Sequence, residues 1–102
     1  MAIYTQSTMD FDASSAIQSQ YQAGVGPIVQ PYITAGFTEP IPTWTPPLPD
    51  GTYPAPSGQY QNHRSWTDLT QAQQCANQVN AWLDSNPECK AFNTTGPIVV
   101  QE

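Results

Sequence analysis

Apolar residues recur at helical spacing most clearly in residues 65–85, SWTDLTQAQQCANQVNAWLDS. Leu69, Ala72, Ala76, Val79 and Leu83 follow one another at intervals of three and four, which places them on one face of a helix. Cys75 and Trp82 flank this seam and widen it. Ser65 or Thr67 can accept backbone N–H groups at the helix start, and Asp68 suits its positive end. Pro87 forbids continuation. The pattern predicts one main C-terminal helix at about 67–85. A weaker stripe of Ala13, Ile17 and Tyr21 predicts a short N-terminal helix at about 11–22. Asp10 or Asp12 would cap it, and Ala23-Gly24-Val25-Gly26-Pro27 would end it.

Two further segments read as extended. Residues 28–37, IVQPYITAGF, are β-branched and aromatic but interrupted by Pro31, which suits an edge strand. Residues 97–101, PIVVQ, predict a short terminal strand. The run Gly96-Pro97-Ile98-Val99 repeats Gly26-Pro27-Ile28-Val29, a match too brief to establish an internal repeat. Between Pro40 and Pro56 stand seven of the eleven prolines, where polyproline II and turns are expected. The whole therefore reads as mostly irregular and extended, with little regular structure. Three stretches emerge: an N-terminal arm at 1–37, a proline-rich clamp at 38–62, and a helix-plus-strand docking unit at 63–102.

Composition sharpens this picture. At 102 residues the chain can form one domain at most. Charged residues make up only 10%, against ~25% in an average chain. The polarity comes from Gln, Thr, Ser and Asn, which can hydrogen-bond to a neighbour without burying unpaired charge. That surface suits a chain packed in an assembly. The net charge of −6, with Arg64 and Lys90 as the only strong cations, argues against nucleic acid and against anionic membranes as partners. No apolar run approaches the ~20 residues of a membrane span. Residues 1–12 lack the basic and apolar regions of a signal peptide, so secretion by that route is not expected.

Candidate chemistry is sparse. His63 is the only histidine and has no recognisable nucleophile beside it. The eight carboxylates are scattered without the pairing that acid–base hydrolysis needs. Two cysteines and one histidine lack metal-ligand spacing. No catalytic, cofactor-binding or metal-binding residue is assigned, no cofactor is expected, and the chain reads as non-enzymatic. Cys75 and Cys89 could pair as a disulfide across a short loop, or stay as reduced thiols with Cys75 a small core residue. Pro46-Pro47-Leu48-Pro49 fits either a polyproline ligand for a partner domain or a stiff spacer. Asn93-Thr94-Thr95 is a formal glycosylation sequon. Trp44, Leu48, Tyr53 and Trp66 sit on irregular segments and join Leu69, Ala72, Ala76, Val79, Trp82 and Leu83 as candidate interface anchors.

The run Arg64-Ser65-Trp66-Thr67-Asp68, an Ala/Gln-rich helix ending AWLDS, and the terminal GPIVV together resemble the ends of small tailed-bacteriophage virion proteins. The resemblance covers about residues 63–101. It implies a non-enzymatic virion component of the tail, baseplate, fibre or neck, in contact with other virion structural proteins and with copies of itself. It transfers no catalytic residue. On this reading the extended arms and the docking helix hold neighbouring subunits together in the particle. The alternatives are a capsid decoration or cement protein, and a proline-rich adaptor presenting Pro46–Pro49. A small enzyme or inhibitor stapled by Cys75–Cys89 is the reading from another class.

Overall fold

The computed structural model describes residues 2–48 and 57–102. Strands β1 (Ile3–Asp10), β2 (Thr43–Thr45), β3 (Gln59–Trp66) and β4 (Ile98–Gln101) form one antiparallel sheet in the order β2-β3-β1-β4. Helix α1 (Ser15–Thr34) follows β1, and helix α2 (Leu69–Ser85) follows β3. A 3₁₀ turn at Pro87–Ala91 leads towards β4. Because β3 is antiparallel to both β1 and β2, it lies between two mutually parallel strands. This β-α-β-β-α-β order is the split βαβ, or ferredoxin-like, topology.

The expectation of a mostly irregular, extended chain is thereby overturned. The Cα radius of gyration is 12.9 Å, close to the ~13 Å of a folded chain of 100 residues and far from the ~30 Å of an unfolded one. The stretches 1–37, 38–62 and 63–102 each contribute to the one sheet. β1, inside the expected N-terminal arm, and β3, which straddles the expected boundary between clamp and docking unit, are instead the two central strands, paired over their full eight residues from Ile3↔Trp66 to Asp10↔Gln59.

The expected strand at 28–37 and the helix end near residue 22 are also corrected. A single helix runs through both, with Pro27 and Pro31 inside it. The two prolines are one helical turn apart and both are exposed. The carbonyls they leave unbonded, of Ala23 and Pro27, belong to exposed residues and can be met by water, so the proline penalty is reduced. Tyr21, Val25 and Tyr32 form the buried face of α1. Ser14 rather than Asp10 or Asp12 caps it, its Oγ accepting the Ile17 N–H at 3.2 Å.

Helix α2 matches its expected range to within two residues. Asp68 Oδ1 accepts the Gln71 N–H at 2.9 Å as N-cap, and Asn86 donates its side-chain amide to the Trp82 carbonyl at the other end. α2 is the helix that lies on the strands, while α1 packs on α2 and on the 3₁₀ turn. The two helices approach closely at Gly24. A Cβ there would stand 2.0 Å from Trp82 Cζ2, so only glycine lets the indole rest on α1. At the sheet's far end Phe11, Tyr21, Tyr60 and Phe92 meet edge-to-face. Behind them Asn93 is fully buried. It donates to the Tyr21 hydroxyl oxygen at 2.9 Å and accepts the Gly96 N–H at 2.8 Å. An asparagine so enclosed is closed to glycosylation in the folded chain.

Candidate functional site

Alternation along a strand sends successive side chains to opposite faces, so β1 and β3 present two different surfaces. The inner face carries the cross-strand pairs Ile3/Trp66, Thr5/Arg64, Ser7/Asn62 and Met9/Tyr60. Its two ends are apolar and its middle is polar. Trp66 Nε1 donates to Thr5 Oγ1 at 2.9 Å, within this buried layer. Arg64 crosses the layer and donates to the Glu39 carbonyl oxygen. Above the polar middle, α1 stands off from the strands and leaves a cleft of about 360 Å³. Val25, Val29 and Ile33 of α1 form one wall, Trp44 and Val79 contribute apolar surface opposite, and Pro40-Ile41-Pro42 borders the mouth. Ile41 is 71% exposed there.

Among the described residues no helix covers the outer face of the sheet. Its outward positions are Tyr4, Gln6, Thr8 and Asp10 on β1, and Gln59, Gln61, His63 and Ser65 on β3. Thr43 and Thr45 on β2 and Ile98 and Val100 on β4 complete it. Asp10, at one end, is the only Asp, Glu, Lys or Arg among them. Tyr4 stacks on His63 with ring centroids 4.3 Å apart. Its hydroxyl donates to Glu102 Oε1 at 3.1 Å, and that carboxylate bond pushes the Tyr4 phenol up from its ordinary range. Ile98 is 56% exposed beside this pair.

The sequence-derived anchors fall in three groups. Ala72, Ala76, Val79 and Leu83 are buried against the chain's own sheet and α1, as are Trp44, Leu48 and Trp66. They cover the core rather than standing open to a neighbour. Trp82 is half-buried over Gly24, and Leu69, at the first turn of α2, is 39% exposed. Tyr53 lies outside the described residues, as does Pro49 of the proline motif. Pro46 and Pro47 are exposed but Leu48 is folded into the core, so this part of the motif is not a free polyproline ligand.

Cys75 and Cys89 are both buried free thiols, which removes the disulfide alternative. Burial pushes the Cys75 thiol up to about 11, only partly offset by the Arg64 charge. Burial raises Cys89 as well, with Glu88 adding to it. Tyr21 is pushed up to about 12 by desolvation, against the lowering effect of its Asn93 hydrogen bond. These shifts set an alkaline limit. Unfolding returns Cys75 and Tyr21 to ordinary values near 9 and 10, so above pH 9 the unfolded chain binds fewer protons than the folded one. The stability they contribute is complete below pH 9 and declines from pH 9 to 11 for Cys75 and from pH 10 to 12 for Tyr21, by up to about 1.4 kcal/mol per pH unit for each group within its own window. Urea midpoints measured across that range should fall, and Cys75→Ala should flatten the first part of the decline. Iodoacetamide at pH 8 should leave both native thiols unmodified and label both in urea.

The inward Thr5, Ser7, Asn62 and Arg64 escape sequence reasoning because polar residues at core positions erase the apolar alternation that marks a strand. Among the described residues no group of three or more His, Cys, Asp or Glu converges to hold a metal. None of the helices described is long and apolar enough to cross a membrane. No family model matches the chain, and neither a curated protein nor a solved structure matches it.

Proposed function

We propose that the chain is a non-enzymatic structural component of a tailed-bacteriophage virion, and that it joins neighbouring subunits by pairing the outer face of its sheet with that of a second copy. The observation that carries this reading is the distribution of charge. The chain holds a net charge of −6, yet among the described residues the carboxylates placed on the outer face are Asp10 at one end and Glu102, bonded to the Tyr4 hydroxyl, at the other, and the middle of the face carries none. Two copies can approach through that face with little mutual repulsion, exchanging hydrogen bonds between glutamines and threonines. Tyr4, Ile98 and Val100 supply apolar contact. Facing sheets pack in this way at about 10 Å. The resemblance of residues 63–101 to small virion proteins supports the setting.

The joining element thus moves from a helix seam to a sheet face. Gln61→Glu places a carboxylate in the centre of that face while leaving the core untouched. Sedimentation equilibrium should show a concentration-dependent dimer for the parent chain and at least a ~10-fold weaker one for Gln61→Glu. A strictly monomeric parent chain at millimolar concentration defeats the pairing. Mass spectrometry of gradient-purified phage particles from the same source tests the virion setting separately, since absence of the chain from intact particles would end it.

A further inference from the structure

The inner cleft is a second, independent feature, and its chemistry differs from that of the outer face. Central strands ordinarily present apolar residues to the helices that cover them, because burying polar groups costs free energy unless they are partnered. The polar residues on the cleft floor are of two kinds. Thr5 Oγ1 accepts from the Trp66 indole and Arg64 donates to the Glu39 carbonyl oxygen, so both are tied into the fold. Ser7 and Asn62 stand directly opposite each other on β1 and β3, and both line the cleft. Among the described residues neither of these two side chains has a hydrogen-bond partner. Ser7 is only 6% exposed. No polar side-chain atom among the described residues is both sealed from solvent and unbonded, so the Ser7 oxygen is reached through the cleft.

This open pair selects the polar end of a ligand. A hydroxyl and a carboxamide offer donors and acceptors side by side, and neither carries a charge. A planar carboxamide matches a group that itself presents a donor next to an acceptor, the geometry of its two-bond contacts with adenine. An ion is a poorer fit, because neutral groups compensate its desolvation only in part. The walls select the other end. Val25, Val29 and Ile33 of α1 give an apolar surface above the pair, and 360 Å³ falls in the volume range of small-molecule sites.

We propose that this cleft binds a small neutral aromatic compound with an amide-type donor–acceptor edge. That edge bonds to Asn62 and Ser7, and the ring lies along the apolar wall of α1.

Benzamide, benzoate and benzamidine share one shape and differ in charge, which makes them the probes. In titrations of the full chain followed by amide NMR, benzamide at millimolar concentration should saturably shift the Asn62 side-chain NH₂ signals and the backbone signals of Val25 and Val29. Benzoate and benzamidine should bind at least about fivefold more weakly. Asn62→Leu keeps the volume of the side chain and removes its hydrogen bonds, so it should weaken benzamide by about tenfold or more. Ser7→Ala removes one hydrogen bond and should weaken benzamide by about fivefold. Neither side chain is bonded within the described fold, so the urea midpoints of both variants should stay at or above that of wild type. The proposal is overturned if benzamide gives no saturable shift at Asn62, or if benzoate or benzamidine binds as tightly as benzamide. It is equally overturned if either folded variant binds benzamide like wild type, or if both variants lower the urea midpoint, the mark of a purely structural pair.

Discussion

Leu83→Asp should unfold the chain rather than merely weaken its association with a partner. Leu83 is 2% exposed, on the buried face of α2. Removing a buried leucine side chain costs about 2–5 kcal/mol. Placing a carboxylate in the same site adds several more, or forces it to take up a proton. The sum rivals the whole stability of a domain this size, about 5–15 kcal/mol. Circular dichroism and amide NMR should show loss of cooperative structure at pH 7. Leu69→Asp is the informative control, because Leu69 belongs to the same spacing pattern but is 39% exposed at the first turn. An acidic side chain there faces the positive end of the helix, so stability should change by no more than about 0.5 kcal/mol. A Leu83→Asp variant that stays folded would restore the docking-helix reading.

Phe92→Ala should cost about 3–5 kcal/mol, the range for truncating a large buried aromatic. Phe92 is fully buried, with ring centroids 5.1 Å from Phe11 and 5.2 Å from Tyr21, both edge-to-face. Its carbonyl accepts the Asp10 N–H at 2.7 Å, so this residue also ties the 3₁₀ turn to the end of β1. The urea midpoint should fall with the slope unchanged. The melting temperature should drop by about 4–8 °C for each kcal/mol lost. A loss under ~1 kcal/mol would mean that the three rings do not pack as a unit.

What could be read from the sequence depended on whether a segment's pattern was set by one cause. In α2, spacing, cap and terminating proline agree, and the helix appears within two residues of its expected limits. β4 likewise follows from Val and Ile after a turn. α1 runs past its expected end because a proline is tolerated in a helix where its side faces solvent, and sequence does not show which way Pro27 and Pro31 face. The repeated tetrapeptide makes the same point. Gly26-Pro27-Ile28-Val29 is helical, whereas Ile98 and Val99 of its second copy are in a strand. Tertiary surroundings override local preference in so short a segment.

β1 and β3 are hidden in the sequence for a different physical reason. Tyr, Thr and Ser give β1 reasonable strand propensity, but Thr5, Ser7, Asn62 and Arg64 occupy positions where apolar residues would have announced a sheet. Places where local rules fail within an otherwise consistent sequence are where function is to be sought. The cleft was illegible because its floor is assembled from residues more than fifty positions apart. The outer face was illegible for the same reason, since its scarcity of charge is a property of four strands seen together.

The position of β1 between β3 and β4 also governs how the molecule comes into being. The strand made first finds its partners only at residues 59–66 and 98–101. A nascent chain therefore cannot close its sheet while the ribosome is still making α2. α1, short of partners until α2 exists, must wait with its valines and isoleucines exposed. Pairings this distant in sequence place folding nearer the millisecond-to-second range than the microsecond range of helical bundles. During synthesis that interval leaves apolar residues of α1 exposed, so yield should be sensitive to translation rate and chaperone supply.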